Sequence, residues 1–250
     1  MPVANARMYS VTPAVKAAWH DLFAWVLVRA GLDWDIVDYD APAPLSELWR
    51  RGDLGLAMMC GLPFSRREPP ATLIAAPIPS GERYDGHPVY MSDIIVRADS
   101  PYRSVADSAG GVVGYTRGDS LSGGVAPRAF LSVIAYGKEE EFATPRQVID
   151  ALVEGRIDVG PLDSYWHDLL REHDPHVAAR IRTIASTPPL PIPPLVATAQ
   201  MDHQTLQRLR GALADAGEAP ALRPLFAQLL LRGFAFPDRT DYSHLARSRP

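Results

Sequence analysis

The chain reads as an α/β fold, with layers of mostly parallel sheet flanked by helices. Three observations predict it. Short apolar runs of strand character recur along the chain. Helical patterns with recognisable caps stand between them. The alternation continues through most of 250 residues, of which 47% are hydrophobic and able to supply a core. That length suits one large domain or two lobes of about 100–130 residues each.

The elements follow in order. The first helix is expected over "TPAVKAAWHDLFAWVLVRAG". Thr12 caps it, Pro13 takes the first helical position, and Gly31 suits the exit. Val15, Trp19, Leu22, Phe23 and Val26 recur at helical spacing and are assigned to the core. "WDIVDYD" alternates like a strand, "PLSELWRRGD" is a short helix, and "LGLAMMC" is a buried strand. "TLIAAPI" and "HPVYMSDIIVR" are further strands, as is "GVVGYT". A glycine- and serine-rich loop comes next, then a helix over about 122–135. "TPRQVIDALVEGR" is a helix capped by Thr144 with Pro145 first. "IDVGPLD" is a strand, "SYWHDLLREH" a helix and "RIRTIAS" a strand. "TPPLPIPPLVAT" is extended, because each proline fixes φ and restricts the residue before it. Helices are expected over about 202–215 and 220–231, and the polar tail "DRTDYSHLARSRP" is expected to be loosely held.

Composition excludes several classes. The net charge of −4 and scattered basic residues do not suit a polyanion partner such as nucleic acid. One cysteine, Cys60, forms no intrachain disulfide and no multi-cysteine metal site. His167, His173 and His176 lie close in sequence, but Pro175 breaks a shared helix and the spacing is poor for a metal; no metal or cofactor is expected. No run of ~18 apolar residues is present to cross a bilayer. The first residues carry no continuous apolar segment with a small-residue cleavage site. Either the chain is cytoplasmic as written or its signal lies outside this sequence.

Open α/β sheets bind ligands outside the carboxyl ends of their strands. One such end is the loop "GDSLSGG", residues 118–124. Its glycines let backbone approach a ligand, and Ser120 and Ser122 offer hydroxyls. The N–H groups of the following helix carry partial positive charge. The loop is neither a P-loop nor a nucleophile elbow, since GxxxxGK[ST] and GxSxG are both absent. It suits an oxyanion, or it is an ordinary helix cap. Asp119 opposes a dianion unless it turns away. Tyr84 and Tyr90, in "GERYDGHPVYMSD", either line a small-molecule cleft or fill the core. Asp163 either meets a ligand cation or caps the helix after it.

Several segments together resemble the phosphate/phosphite/phosphonate-binding family of periplasmic ABC-importer proteins. They are "ARMYSVTPAV", "MMCGLPF", "YDGHPVYMSDIIVRADSPYRSVADSAG", "GYTRGDSLSGG", "TPRQVIDALVEGRIDVGPLDSYWHDLL" and "TPPLPIPPLVAT", spread over about 5–200. The resemblance implies a two-lobed class II periplasmic-binding fold. Lobe one is then 1–93 plus 197–250, lobe two is 94–196, and ligand sits in the cleft between them. In the family a Ser/Thr-rich loop at a helix N-terminus holds the phosphonate oxygens; here that maps to Ser120, Leu121, Ser122 and Gly123. The aromatic before the first crossover maps to Tyr90 or Met91, with Tyr9 and Tyr84 as further first-lobe cover. The acidic position that meets a ligand amine maps to Asp163. One position departs from the pattern. Where the family often carries Gly-Ser-His at the next helix start, Thr144 stands for the serine and Pro145 for the histidine. The adjacent Arg146 is a candidate replacement for its charge.

The expected function is a solute-binding protein without catalysis, holding a phosphonate or related oxyanion and partnered by an ABC permease. The resemblance places it in the periplasm. Two alternatives share the fold: a cytoplasmic biosynthetic enzyme, with Asp119, Asp163 and His87 as the residues to test, and a ligand-sensing module.

Overall fold

The computed structural model describes residues 1–41 and 43–248. Residues 249–250, the end of the polar tail, lie outside the described residues, as does Pro42. The strands are β1 (Val3–Asn5), β2 (Leu54–Met58), β3 (Thr72–Pro79), β4 (Val89–Tyr90), β5 (Ser92–Arg97) and β6 (Val112–Thr116). They continue with β7 (Lys138–Phe142), β8 (Gly160–Asp163), β9 (Ile181–Ser186), β10 (Leu190–Pro191), β11 (Leu195–Ala197) and β12 (Leu231–Ala235). The chain divides into two compact units, one of Met1–Val89 with Pro191–Ala246, the other built on Tyr90–Leu190.

The first unit holds a five-stranded sheet in the order β1-β2-β11-β3-β12. The β1–β2 pairing is parallel, and the three others are antiparallel. The expectation of a mostly parallel sheet is corrected here. β1, β2 and β3 do run the same way, as strand–helix alternation requires. β11 inserts between β2 and β3 in the opposite sense, so no two of the inner neighbours are parallel. The helix Pro13–Arg29 starts as the sequence dictates. Thr12 Oγ1 accepts the Val15 N–H at 3.3 Å, and Pro13 needs no hydrogen-bond partner in the first turn. Val15, Trp19, Leu22, Phe23 and Val26 are all fully buried. Each such side chain contributes about 1.5–3 kcal/mol by leaving water.

Two segments depart from expectation in this unit. "WDIVDYD" makes only an isolated bridge, Ile36 to Ala4, and is not a strand. The polar tail is held, not loose, as far as it is described. It winds as a 3-10 helix over Arg239–Arg247 and buries Tyr242 and Leu245. The Tyr242 hydroxyl donates to the Ile192 carbonyl at 2.9 Å, and its ring meets Phe64 edge-on at 5.2 Å.

In the second unit β8-β5-β9 form one set and β6-β7 another. A parallel bridge between Val113 and Val159 joins them, supported by Gly114 N–H to Val159 O at 2.8 Å. β6, β7 and β8 run in one direction, and β5 runs against β8 and β9. Alternation along β5 sends Ile94 and Val96 to one face, packed with Tyr115 and Leu131. Ile95 goes to the other face with Val148, Leu152 and Leu170. The sheet is therefore covered on both sides, which explains the continuous apolar run of β5.

Candidate ligand-binding site

Because β6, β7 and β8 are co-directional, their carboxyl ends meet at one edge of the second unit's sheet. Thr116 of β6 pairs with Phe142 of β7, and Asp163 closes β8. Each end is followed by a helix start with a side-chain cap, at Ser120, Thr144 and Asp163. β5 begins at the same edge, since Ser92 pairs with Asp163. Tyr90 lies two residues before it. Thus Tyr90, Ser120–Gly123, Thr144 and Asp163 gather at one sheet edge, as the rule for open α/β sheets anticipates.

The loop after β6 begins with a turn in which the Ser120 N–H donates to Arg117 O at 2.9 Å. Ser120 Oγ then accepts the Gly123 N–H at 3.1 Å. Its carbonyl accepts from both Gly124 at 3.1 Å and Val125 at 2.9 Å. The expected helix over about 122–135 is instead a wide π-helical turn, Leu121–Val125, running into a short α-helix, Ala126–Leu131. Gly123 is required by space: a Cβ there meets Thr116 Oγ1 at 1.8 Å. At Gly124 a Cβ meets the Arg117 carbonyl at 2.6 Å. The glycines seat the turn directly on the end of β6.

That seat leaves donors exposed. Among the described residues, neither the N–H nor the hydroxyl of half-buried Ser122 has a protein partner. Asp119, the charge that threatened an anion, is paired with Arg117 at 3.3 Å. The loop's acidic charge is thus partly neutralised by its own strand end.

The other two caps are more fully used. Thr144 Oγ1 accepts the Gln147 N–H at 3.3 Å, and Gln147 Oε1 accepts from Ala143 N–H at 2.9 Å. Arg146 is not free to replace the missing histidine. Its guanidinium reaches Asp150 and Asp174, each at 3.3 Å. Asp163 is a cap, with Oδ1 accepting Tyr165 N–H at 3.0 Å and Trp166 N–H at 3.1 Å. The same helix start is tied to β5, because Ser164 Oγ accepts the Met91 N–H at 2.9 Å.

Tyr90 is buried, as are Tyr84 and Tyr9 of the first unit, so none presents an open ring face. Tyr9 follows β1 with φ at 65°, an uncommon conformation for a bulky residue. Three polar residues of the second unit escaped the sequence reading. Thr116 is buried under Gly123. Ser92 is fully buried, and its hydroxyl has no partner. Asp93, also fully buried, accepts from Ser186 Oγ at 2.7 Å and lies 2.9 Å from His167 Nδ1. In sequence the only signal for these was a polar pair, "SD", at the start of an apolar strand.

The model of the family described as ABC-transporter phosphonate periplasmic substrate-binding protein matches residues 10–242. The chain belongs to this phosphonate-binding family. No curated protein matches it in sequence. Solved structures share the fold of this chain at low identity. One is a binding-protein component of an ABC phosphonate transporter from Pseudomonas aeruginosa. It has a TM-score of 0.78 and 17% identity, with 96% of this chain and 83% of that one covered. PhnD1 from Prochlorococcus marinus, in complex with methylphosphonate, has a TM-score of 0.75 and 14% identity, covering 97% and 95%. A Xanthomonas citri protein bound to ATP has a TM-score of 0.68 and 20% identity, covering 98% and 95%. The family is one of substrate-binding proteins, and the Pseudomonas aeruginosa neighbour is a binding-protein component rather than an enzyme. Among the described residues, no helix of the chain is long and apolar enough to cross a membrane.

Proposed function

We propose that this protein binds a phosphorus oxyanion, a phosphonate or a related phosphoryl group, at the sheet edge built from Ser120, Leu121, Ser122 and Gly123, without catalysis. The carrying observation is Ser122, whose N–H and hydroxyl lack protein partners among the described residues, at the start of a helical turn. Those two donors converge with the partial positive charge of the turn and select an anion with several acceptor oxygens. The neighbours' ligands support the same chemistry: methylphosphonate and ATP share a tetrahedral phosphorus group and little else. With Pro145 at the place of the family's histidine and Arg146 committed elsewhere, the site relies on neutral donors. Thr144 and Asp163 frame the edge through their helix starts. The protein then serves an ABC permease from the periplasm, as its family does.

Calorimetry and thermal-shift titration of the whole chain with methylphosphonate, phosphite and inorganic phosphate test the reading. Binding of at least one is expected, with Ser122→Ala weakening it about tenfold or more. No heat and no thermal shift with any of the three removes the oxyanion assignment.

A further inference from the structure

Ser92 is the first residue of β5 and is completely buried, yet its hydroxyl has no hydrogen-bond partner. The rest of the residue is fully engaged. Its N–H donates to Thr187 Oγ1 at 2.9 Å, and its carbonyl accepts the Thr187 N–H at 3.0 Å. A buried hydroxyl left alone is costly, and such orphans concentrate where a ligand or an ordered water completes the set. Its position gives the orphan a direction. Ser92 lies on the β5 face of Ile94 and Val96, which pack with Tyr115 and Leu131. Leu131 ends the helical segment that the Ser120–Gly123 turn begins. Ser92 also pairs directly with Asp163, the cap at the same sheet edge.

We infer that Ser92 Oγ is a further ligand-recognition group of this site, donating to the bound oxyanion directly or across one bridging water. The inference rests on the oxyanion reading above. Among the described residues no protein group partners the hydroxyl. When the anion arrives, the hydroxyl gains a charged acceptor, and part of the binding free energy comes from removing that mismatch. The residue therefore acts on affinity and on stability with opposite signs. A serine with a structural role moves both in the same direction.

The test is Ser92→Ala in the whole chain, with nearly isosteric Ser92→Cys, a weak donor, as companion. Methylphosphonate and inorganic phosphate are titrated by calorimetry, and melting temperature is read without ligand. Ser92→Ala is expected to lose roughly 10- to 100-fold in affinity for the anion that the wild type binds, while its ligand-free melting temperature stays level or rises. Ser92→Cys should fall between. Wild-type affinity in Ser92→Ala overturns the inference, as does a loss of affinity that tracks a lowered melting temperature. Ser122→Ala separates the two readings. If it weakens binding and Ser92→Ala does not, the site stands and Ser92 is not part of it. If the wild type binds neither anion, both readings fall.

Discussion

Replacing His167 with alanine removes one partner of the buried Asp93 carboxylate. Asp93 is fully buried, and His167 is only 1% exposed. The carboxylate accepts from Ser186 Oγ at 2.7 Å and meets His167 Nδ1 at 2.9 Å. Removing one partner of a buried pair leaves a poorly compensated acceptor and typically costs about 3–5 kcal/mol. Ser186→Ala deletes a single hydroxyl donor to the same group, so it should cost less, about 1.5–3 kcal/mol. Against a total domain stability of about 5–15 kcal/mol, the first change approaches the whole for a weak domain. Leucine at both 93 and 167 removes the two polar groups together. It should therefore cost at least 2 kcal/mol less than the summed single leucine changes. Native-state hydrogen exchange of amides in β5, β8 and β9, with urea as perturbant, reads the second unit by itself. A cost under about 1 kcal/mol for His167→Ala, or strict additivity of the leucine pair, would refute the reasoning.

Gly123→Ala places a methyl group 1.8 Å from Thr116 Oγ1 and should destabilise the fold by about 1–3 kcal/mol, seen as a lowered melting temperature. Gly118→Ala, with open space around it, should stay within about 0.5 kcal/mol. Truncation after Asp238 uncovers the contacts of Tyr242 and Leu245 and should lower stability by roughly 3–6 kcal/mol in urea unfolding. Tyr242→Phe, which deletes only the bond to Ile192 O, should cost about 1 kcal/mol in the same assay. Acid sensitivity is predicted from carboxylates held below their ordinary range. Backbone N–H groups of Arg103 and Ser104 do this for Asp107, that of Thr205 for Asp202, and the Lys16 ammonium for Asp38. A lowered folded pKa stabilises above the unfolded value, and the contribution disappears as pH falls through the folded one. Acid titration should thus show these losses below the ordinary 3.8, and none from these groups between about pH 5 and 8.

Helix starts were the most legible features. Thr12–Pro13 and Thr144–Pro145 each begin a helix, and Asp163 caps the helix Ser164–His173. Strand β7 was not legible: "KEEEF" has no apolar alternation, and its charges mark a sheet edge rather than a core strand. β12 was hidden because "LRGFA" continues an apolar helical stretch, and only pairing with β3 makes it a strand. The tail was misjudged because its composition is polar, while the two residues that matter, Tyr242 and Leu245, are too sparse to form a pattern. At the candidate site, the loop Ser120–Gly123 was found from its residue types. Its wide first turn was not, because that follows from Gly123 sitting on Thr116.

The sequence by itself determined where helices begin, which runs enter the core, and which loop carries donors at a strand end. These depend on φ limits, caps and hydrophobic period, all of which act within a few residues. Only the tertiary structure decided strand order and sense, with β11 placed between β2 and β3. It alone set Asp93 against His167, 74 positions apart, and left the Ser92 hydroxyl without a partner. Those outcomes are contacts between remote segments, fixed by how two faces of a sheet are covered and by no local preference of the residues involved.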